Sequence, residues 1–491
     1  MAGPYPSLVP EPSGVLSRQL LPASIAIFTT VALVAFEGLA VVAALPELAA
    51  ELGGVALLPW TITGFLLTSG IATAISGPLV DGIGTRTMFR WAVAVFVGAS
   101  VAAAFAPSMP IMIVARVVQG AGGGMISAVG ITAVGLVYPP HLVSRAFAAN
   151  ATVWGVMGVA APAIAALMLT VLDWRWIFLV NLPLGLAALA VGWRILPGPA
   201  GKRDRRVDWR GAALVATITI SLAMAVDRLN WTSLLWLAWV VAGAWLYARH
   251  ARRHPAPIVW LEHLIRQPYS GLALGIGLMV AGAIAAETYI PLYVRGALGA
   301  GPALTAWSVL FFTLGWTTGA NISGRLSRRI AESTLTVGGF GITVPALVII
   351  WLAVTFGLPS AVVFGCLYVA GTGVGISTNS SLTLLRTATP DDQLGRATAA
   401  HQVARAQGFT IGAALGGSVI LLAVSRVVPD LETVRQLLAG EEIAMTSAAA
   451  QGIEDGFGLT ALVGAIVVLA GLPAVLRLRR HLAPAREAKR R

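Results

Sequence analysis

Fourteen apolar runs, most of them close to 20 residues, order this chain: 22–46, 59–80, 88–106, 110–137, 146–170, 176–195, 210–229, 231–249, 269–294, 303–324, 335–356, 358–386, 397–424 and 456–477. At about 1.5 Å per residue, about 20 residues of helix cross a hydrocarbon core about 30 Å thick. Lipid offers no partner for free backbone groups, so open sheet edges are excluded and helices are the form such runs take. With 57% hydrophobic and 11% charged residues over 491 positions, no single water-soluble core accounts for them. The reading is an all-α polytopic membrane protein whose even number of crossings puts both termini on one side. The seventh and eighth runs are the weakest, because the turn 227–230 between them is short and the second is rich in tryptophan. Counted instead as one buried or interfacial hairpin, they leave twelve crossings.

The net charge of +12 is placed for topology rather than for nucleic acid. Of the 33 Lys and Arg, only Arg175, Arg228, Arg295, Arg426 and Arg435 fall in alternate loops on one side, and Arg116 and Arg405 lie in the membrane. All the others fall on the side of the two termini, which identifies that side as cytoplasmic in the cell (inner) membrane. The basic runs 202–210 and 477–491 are then topology signals, with contact to anionic membrane lipids as the alternative. A single Cys366 excludes an intrachain disulfide and a cysteine metal motif, and six scattered histidines show no ligand spacing. No nucleotide loop, metal cluster or paired nucleophile and base is present, so neither an enzyme nor a cofactor is expected. The polar start 1–18 runs straight into a spanning segment without a cleavage pattern, so the first helix is expected to stay as an anchor.

Four ionisable residues lie deep inside the runs: Glu37, Arg116, Glu287 and Arg405. Each costs about 2.5 to 3.5 kcal/mol at a bilayer centre, so each is expected to face a partner or a water-filled path. Glu37 lies nine residues before Pro46 and Arg116 six after Pro110, which places both in the outer half and lets them pair. Such a pair is either a proton-coupling device, in which a change of separation or hydration changes proton affinity, or a static ion pair that fixes helix packing. Glu287 either takes a proton or a cationic substrate, or reaches the outer interface. Arg405, beside His401, Gln402 and Gln407, reads more readily as structural than functional.

The longest inner hydrophilic stretches, 196–210 and 249–268, divide the chain into a tail 1–21, six helices over 22–196, a linker with two inserted helices over 197–268, six helices over 269–477 and a basic tail 478–491. A faint echo relates the stretch 77–86 after the second helix to 319–329 in the later half. Two related six-helix halves are the architecture of secondary transporters that bind near the midplane and rock one half on the other.

The stretch 77–86, with Gly77, Leu79, Asp81, Gly84 and Arg86, resembles the loop signature G-x-L-x-D-R-x-G-R-K of the major facilitator superfamily. Arg116, Gln119 and Gly120 resemble the R-x-x-Q-G motif of its fourth helix. The stretches 36–46, 173–185 and 390–398 are similar to its fourteen-helix drug:proton antiporter branch, the multidrug efflux type. Gly82 and Thr85 depart from the loop signature, which keeps one acid and one base. In the fifth helix Gly155, Gly158 and Pro162 are similar to the antiporter motif, with alanine in place of several glycines.

The resemblance implies the major facilitator fold and a gating loop in which Gly77, Asp81, Gly84 and Arg86 latch the halves on the cytoplasmic side, Asp81 meeting the positive end of a helix dipole. It implies proton-coupled export of small amphipathic or cationic compounds, as in antibiotic resistance, with Glu37, Arg116 and Glu287 at the coupling step. The alternative within the superfamily is export of a lipid or lipid-like metabolite. Gln119, Trp154, Tyr289, Trp316 and Asn379 are the candidate substrate-lining residues, with Phe65 adding aromatic surface, because apolar walls and ring faces suit lipophilic cations. The outer segment 426–457, with six acids, is either a lure for cations, including a short amphipathic helix over 428–438, or a plain connection.

Overall fold

The computed structural model describes residues 12–53, 57–198, 208–227, 231–255, 257–427 and 447–490. Its helices, in chain order, are α1 (Leu21–Leu52), α2 (Leu58–Ile83), α3 (Thr85–Ala104), α4 (Met109–Val137), α5 (Pro140–Val171), α6 (Arg175–Leu179), α7 (Asn181–Ile195), α8 (Trp209–Asp227), α9 (Trp231–Ala251), α10 (Glu262–Ile265), α11 (Tyr269–Leu292), α12 (Pro302–Leu326), α13 (Glu332–Thr355), α14 (Ser360–Ala388), α15 (Leu394–Val424) and α16 (Ser447–Arg490). Among the described residues there is no strand. Among the described residues, eleven segments are long and apolar enough to cross a membrane: α1 to α5, α6 with α7, α11 with the turn after it, and α13 to α16. The helices α8, α9 and α12 occupy the other three expected positions but lie outside that set, α8 because its apolar stretch Trp209–Leu222 is short. The all-α architecture stands, and α8, α9 and α12 are helices at the remaining expected positions that do not meet the same length and composition.

Proline explains where the runs break. The sixth run divides into α6 and α7 around Val180, and Pro183, which has no N–H, cannot bond the carbonyl of Leu179 four residues back. Pro291 sits near the end of α11, and the chain continues as a π-helical turn, Tyr293–Ala297. Between α2 and α3 the turn is a single residue, Gly84, at φ +86°, a conformation that a side chain resists.

In the first half α2 packs on α4, α3 on α4 and α7, and α1 on α5 and α7; in the second, α12 and α13 pack on α14, α11 on α15 and α16, and α13 on α16. Each half has its own apolar core, one around Phe89, Phe96 and Phe147, the other around Phe312, Phe340 and Phe457. The α8–α9 hairpin joins neither half alone. Ala212, Val215 and Tyr247 of the hairpin share a cluster with Ala74 of α2 and Ala400 of α15, so it covers the seam where these two helices meet. The turn 227–230 overlaps, and the expected helix 428–438 falls within, stretches outside the described residues, as do Lys202, Arg203, Arg205 and Arg206 of the basic run and the acids Asp430, Glu432, Glu441 and Glu442. Glu454 and Asp455 lie in the first turns of α16.

Candidate transport site

Glu37 and Arg116 meet. The Arg116 Nη1 donates to Glu37 Oε1 at 2.5 Å, and the two side chains are 0% and 1% exposed. Arg116 also donates from Nε to the Thr61 carbonyl at 2.9 Å and from Nη1 to Gln119 Oε1 at 2.5 Å. Asn181 donates its amide to the second carboxylate oxygen at 2.5 Å, and Gln119 Nε2 donates to Ser100 Oγ at 2.7 Å. The guanidinium carbon lies 4.4 Å from the ring centre of Phe65 and 5.8 Å from that of Phe178. Six elements, α1 to α4, α6 and α7, thus converge on one charge pair, all in the first half. A pair this dry has to be hydrogen-bonded on every side, because removing one partner of a buried ion pair typically costs about 3–5 kcal/mol.

Two candidate lining residues belong to this network. Gln119 is fully buried and hydrogen-bonded inside it, and Phe65 is 3% exposed beneath Arg116, so neither faces a cavity. Asn379 is also placed elsewhere: 3% exposed, it donates to Ser144 Oγ at 3.0 Å and Ser323 Oγ at 3.1 Å, tying α14 to α5 and α12. In each case burial of a polar side chain demanded a protein partner, which removes it from a substrate surface. Trp154 is 41% exposed on α5. Trp316 on α12 is half-buried and stacks on Phe409 of α15, with ring centres 6.1 Å apart. Tyr289 is half-buried and donates its hydroxyl to the Ala413 carbonyl at 3.0 Å, which fixes its ring against α15. Glu287 is half-buried on α11, with no hydrogen bond or ion pair among the described residues.

The face that holds the α2–α3 turn and both helical ends of the chain, α1 and α16, is the basic face. There Asp81 reaches from α2 to the start of α15, accepting from the Gly395 N–H at 2.9 Å and the Arg396 N–H at 3.0 Å. A carboxylate on the free N–H groups of a helix start is favoured by about 0.3–1 kcal/mol when exposed and about 2 when partly buried. The approach needs Gly77, since a Cβ there would overlap the Gly395 carbonyl and Ala399. Arg86 does not cross between the halves. It donates from Nε to the Leu196 carbonyl at 2.7 Å, capping the end of α7 within its own half.

A converse contact was not anticipated from the sequence: Arg386, near the end of α14, donates to the Gly135 carbonyl in the last turn of α4 and pairs with Asp391 at 2.8 Å. Acid on a helix start and base on a helix end therefore bridge the halves side by side. The antiporter-like residues lie at the remaining seam. Gly155 lets α5 approach Thr317 of α12, Gly158 faces Leu310 and Thr313, and Asn321 donates to Thr152 Oγ1 at 2.7 Å. Pro162 is exposed, one turn beyond Gly158. Asn181 and Ser100 were also missed as site residues. Their only signal was a polar residue in an apolar run, one that costs too little to stand out.

Among the described residues, eleven apolar helical segments, two cores and polar bridges across their seam define a multi-pass helical membrane protein built of two packed halves. The chain belongs to the Major Facilitator Superfamily, whose family model matches residues 25–413. Transport of small molecules, not enzymatic catalysis, is what this family does. The chain is 26% identical over 400 residues to an uncharacterized MFS-type transporter of Mycobacterium tuberculosis, an alignment covering 78% of this chain and 56% of that protein. It is 23% identical over 416 residues to the multidrug transporter protein MdtP of Bacillus subtilis, covering 81% and 76% of the two. Among solved structures, the human organic anion transporter MFSD10 superposes with a TM-score of 0.61 at 15% identity, over 91% of this chain and 98% of that one, a likeness of fold.

Proposed function

We propose that the protein is a proton-coupled exporter of small amphipathic or cationic compounds, of the fourteen-helix drug:proton antiporter type, working by alternating access in the cell membrane with both termini cytoplasmic. Similarity to MdtP supports the substrate class, and the concentration of Lys and Arg on the basic face supports the orientation. In this reading the segments 22–196 and 269–477 are the two moving bundles, with 197–268 as the linker that carries the inserted hairpin. Among the described residues, the hydrogen bonds between these bundles lie in the basic-face half, from Asp81 and Arg386 to Asn379 and Asn321, which corresponds to a state closed on the cytoplasmic side.

The observation that carries the reading is Glu37: a carboxyl group with 0% exposure, held by Arg116 and Asn181 from two other helices. Taking up a proton removes its charge and one acceptor position, so Arg116 and Asn181 must re-pair and α1, α4 and α7 must shift together. Glu287 supplies a second carboxyl in the other bundle, free of protein partners among the described residues and thus open to a proton or a cationic group. The test is dye or drug uptake by inside-out vesicles under an imposed proton gradient. Glu37→Gln is expected to abolish gradient-driven uptake while expression holds, and Glu287→Gln to reduce it. Full coupled transport by Glu37→Gln would remove this assignment.

A further inference from the structure

Arg405 lies on α15, eleven residues beyond Leu394 and inside the apolar segment Asp391–Val424. It is half-buried and, among the described residues, makes neither a hydrogen bond nor an ion pair. Among the described residues, neither Glu37 nor Glu287 is in position to serve it. Glu37 is taken by Arg116 and Asn181 in the other bundle. Glu287 is on the adjacent helix but at another depth. Gly277 packs against Ala404 and Gly408, Gly412 against Ala281 and Gly416 against Ala285, a register that puts Glu287 twelve residues beyond Arg405, about 18 Å at 1.5 Å per residue. A guanidinium presents five N–H donors in a rigid plane and stays charged, so in an apolar span it calls for an anion.

What stands beside it says what kind of anion. Phe409, four residues on and therefore on the same face of α15, is 39% exposed and stacks on Trp316 of α12 with 10° between the planes. Trp316 also meets Phe312 edge-on at 5.9 Å. Whereas α12 packs on α14 and α5, and α15 on α11, α16 and α2, the two rings meet across the interval between α12 and α15. The aromatic wall begins at Phe409, one helical turn or about 6 Å of rise along α15 from position 405. On the other side of Arg405, His401 is 2% exposed, its Nε2 within 3.1 Å of Ser381 Oγ, and it brings no negative charge.

We propose that Arg405 is the anion-binding residue of the substrate site and that the transported molecule carries an acidic group, a carboxylate, sulfonate or phosphate, beside a planar ring that lies on Trp316 and Phe409. This rests on the export reading above and narrows it: at this subsite the recognised charge is negative. The acid belongs either to a soluble ligand or to a lipid headgroup, and lipid composition separates the two.

The experiment is equilibrium binding to the purified full-length protein in phosphatidylcholine nanodiscs, which requires no transport and so stands apart from the vesicle assay. The probes are 2-naphthalenesulfonate, its uncharged sulfonamide and 2-naphthylmethylammonium. The sulfonate is expected to bind at least tenfold more tightly than the sulfonamide. Arg405→Gln is expected to remove that preference with sulfonamide affinity within twofold, and Phe409→Ala to weaken both probes alike. If Arg405→Gln does not fold, Arg405→Lys carries the test: at least a threefold loss for the sulfonate alone supports the site, because a point charge replaces the planar fork. In nanodiscs containing phosphatidylglycerol, displacement of the sulfonate assigns the acid to lipid, and unchanged binding assigns it to a soluble ligand. Preference for the ammonium probe, no sulfonate binding in either lipid, or sulfonate preference surviving the loss of Arg405 would overturn the proposal. Intact binding without gradient-driven uptake would instead count against the export reading alone.

Discussion

At the scale of single residues, the Glu37–Arg116 pair shows how burial turns two costly charges into one satisfied unit. Each offsets the burial cost of the other's charge, so the two should be strongly coupled in stability. Arg116→Gln alone is expected to destabilise the protein by about 3–5 kcal/mol, since it leaves a carboxylate with 0% exposure facing a neutral amide. Adding Glu37→Gln should recover most of that loss. Thermal unfolding of the three variants in detergent measures it, and a loss in the double variant equal to the sum of the two single losses would show the pair to be energetically independent. The pair was legible in the sequence because an acid or base inside an apolar run cannot be incidental. Asn181 and Ser100 were not, because a neutral amide or hydroxyl is cheap enough to sit anywhere in a helix. For the same reason Gln119 and Asn379 read as lining residues until their hydrogen bonds placed them inside the protein.

Among elements, the contacts between the halves depend on how closely helices approach, and glycine sets that distance at two seams. Gly77 brings α2 against α15, and Gly155 brings α5 against α12. A Cβ at 155 would overlap the Oγ1, Cβ and Cγ2 atoms of Thr317, so Gly155→Ala is expected to wedge α5 away from α12 and to cut transport severalfold. Combining it with Thr317→Gly, which removes the three opposing atoms, should restore a large part. Uptake rates of the single and double variants decide the point, and no rescue would place the defect elsewhere. The helices themselves were readable from run length, and the division of the sixth run is accounted for by Pro183. Which helices touch was not readable, because Gly155 and Gly77 carry no mark in the sequence of the partner they will meet. The loop resemblance pointed to a contact between the halves at Asp81, but Arg86, expected beside it, caps α7 instead.

For the whole molecule, the α8–α9 hairpin and the short α10 lead into the second half beside the latch, and there the protein holds a group sensitive to acid. His263 in α10 is 5% exposed and its Nδ1 has no partner. Burial pushes its pKa down to about 4 from the usual 6.5, with Glu262 opposing that shift and Arg396 adding to it. Arg396 is the residue whose N–H binds Asp81, and its guanidinium carbon lies 5.0 Å from the Trp260 ring that neighbours His263. A histidine with a folded pKa below its unfolded value binds fewer protons when folded, so stability is full above about pH 6.5 and declines as pH falls toward 4. At about 1.4 kcal/mol per unit, the loss from this one site approaches about 3 kcal/mol near pH 4. The unfolding temperature of the purified protein is therefore expected to fall between pH 6.5 and 4, and His263→Phe, which keeps an aromatic ring against Tyr269 and Trp260 but cannot titrate, should fall less steeply. Because α10 joins the hairpin to the bundle that receives Asp81, acid loosening of His263 should also weaken the contact of Asp81 with the start of α15. Hydrogen exchange of the Gly395 and Arg396 amides would then rise at low pH, relative to the intrinsic rate, in the wild type more than in His263→Phe, and equal protection in both proteins would separate the histidine from the closure of the basic face.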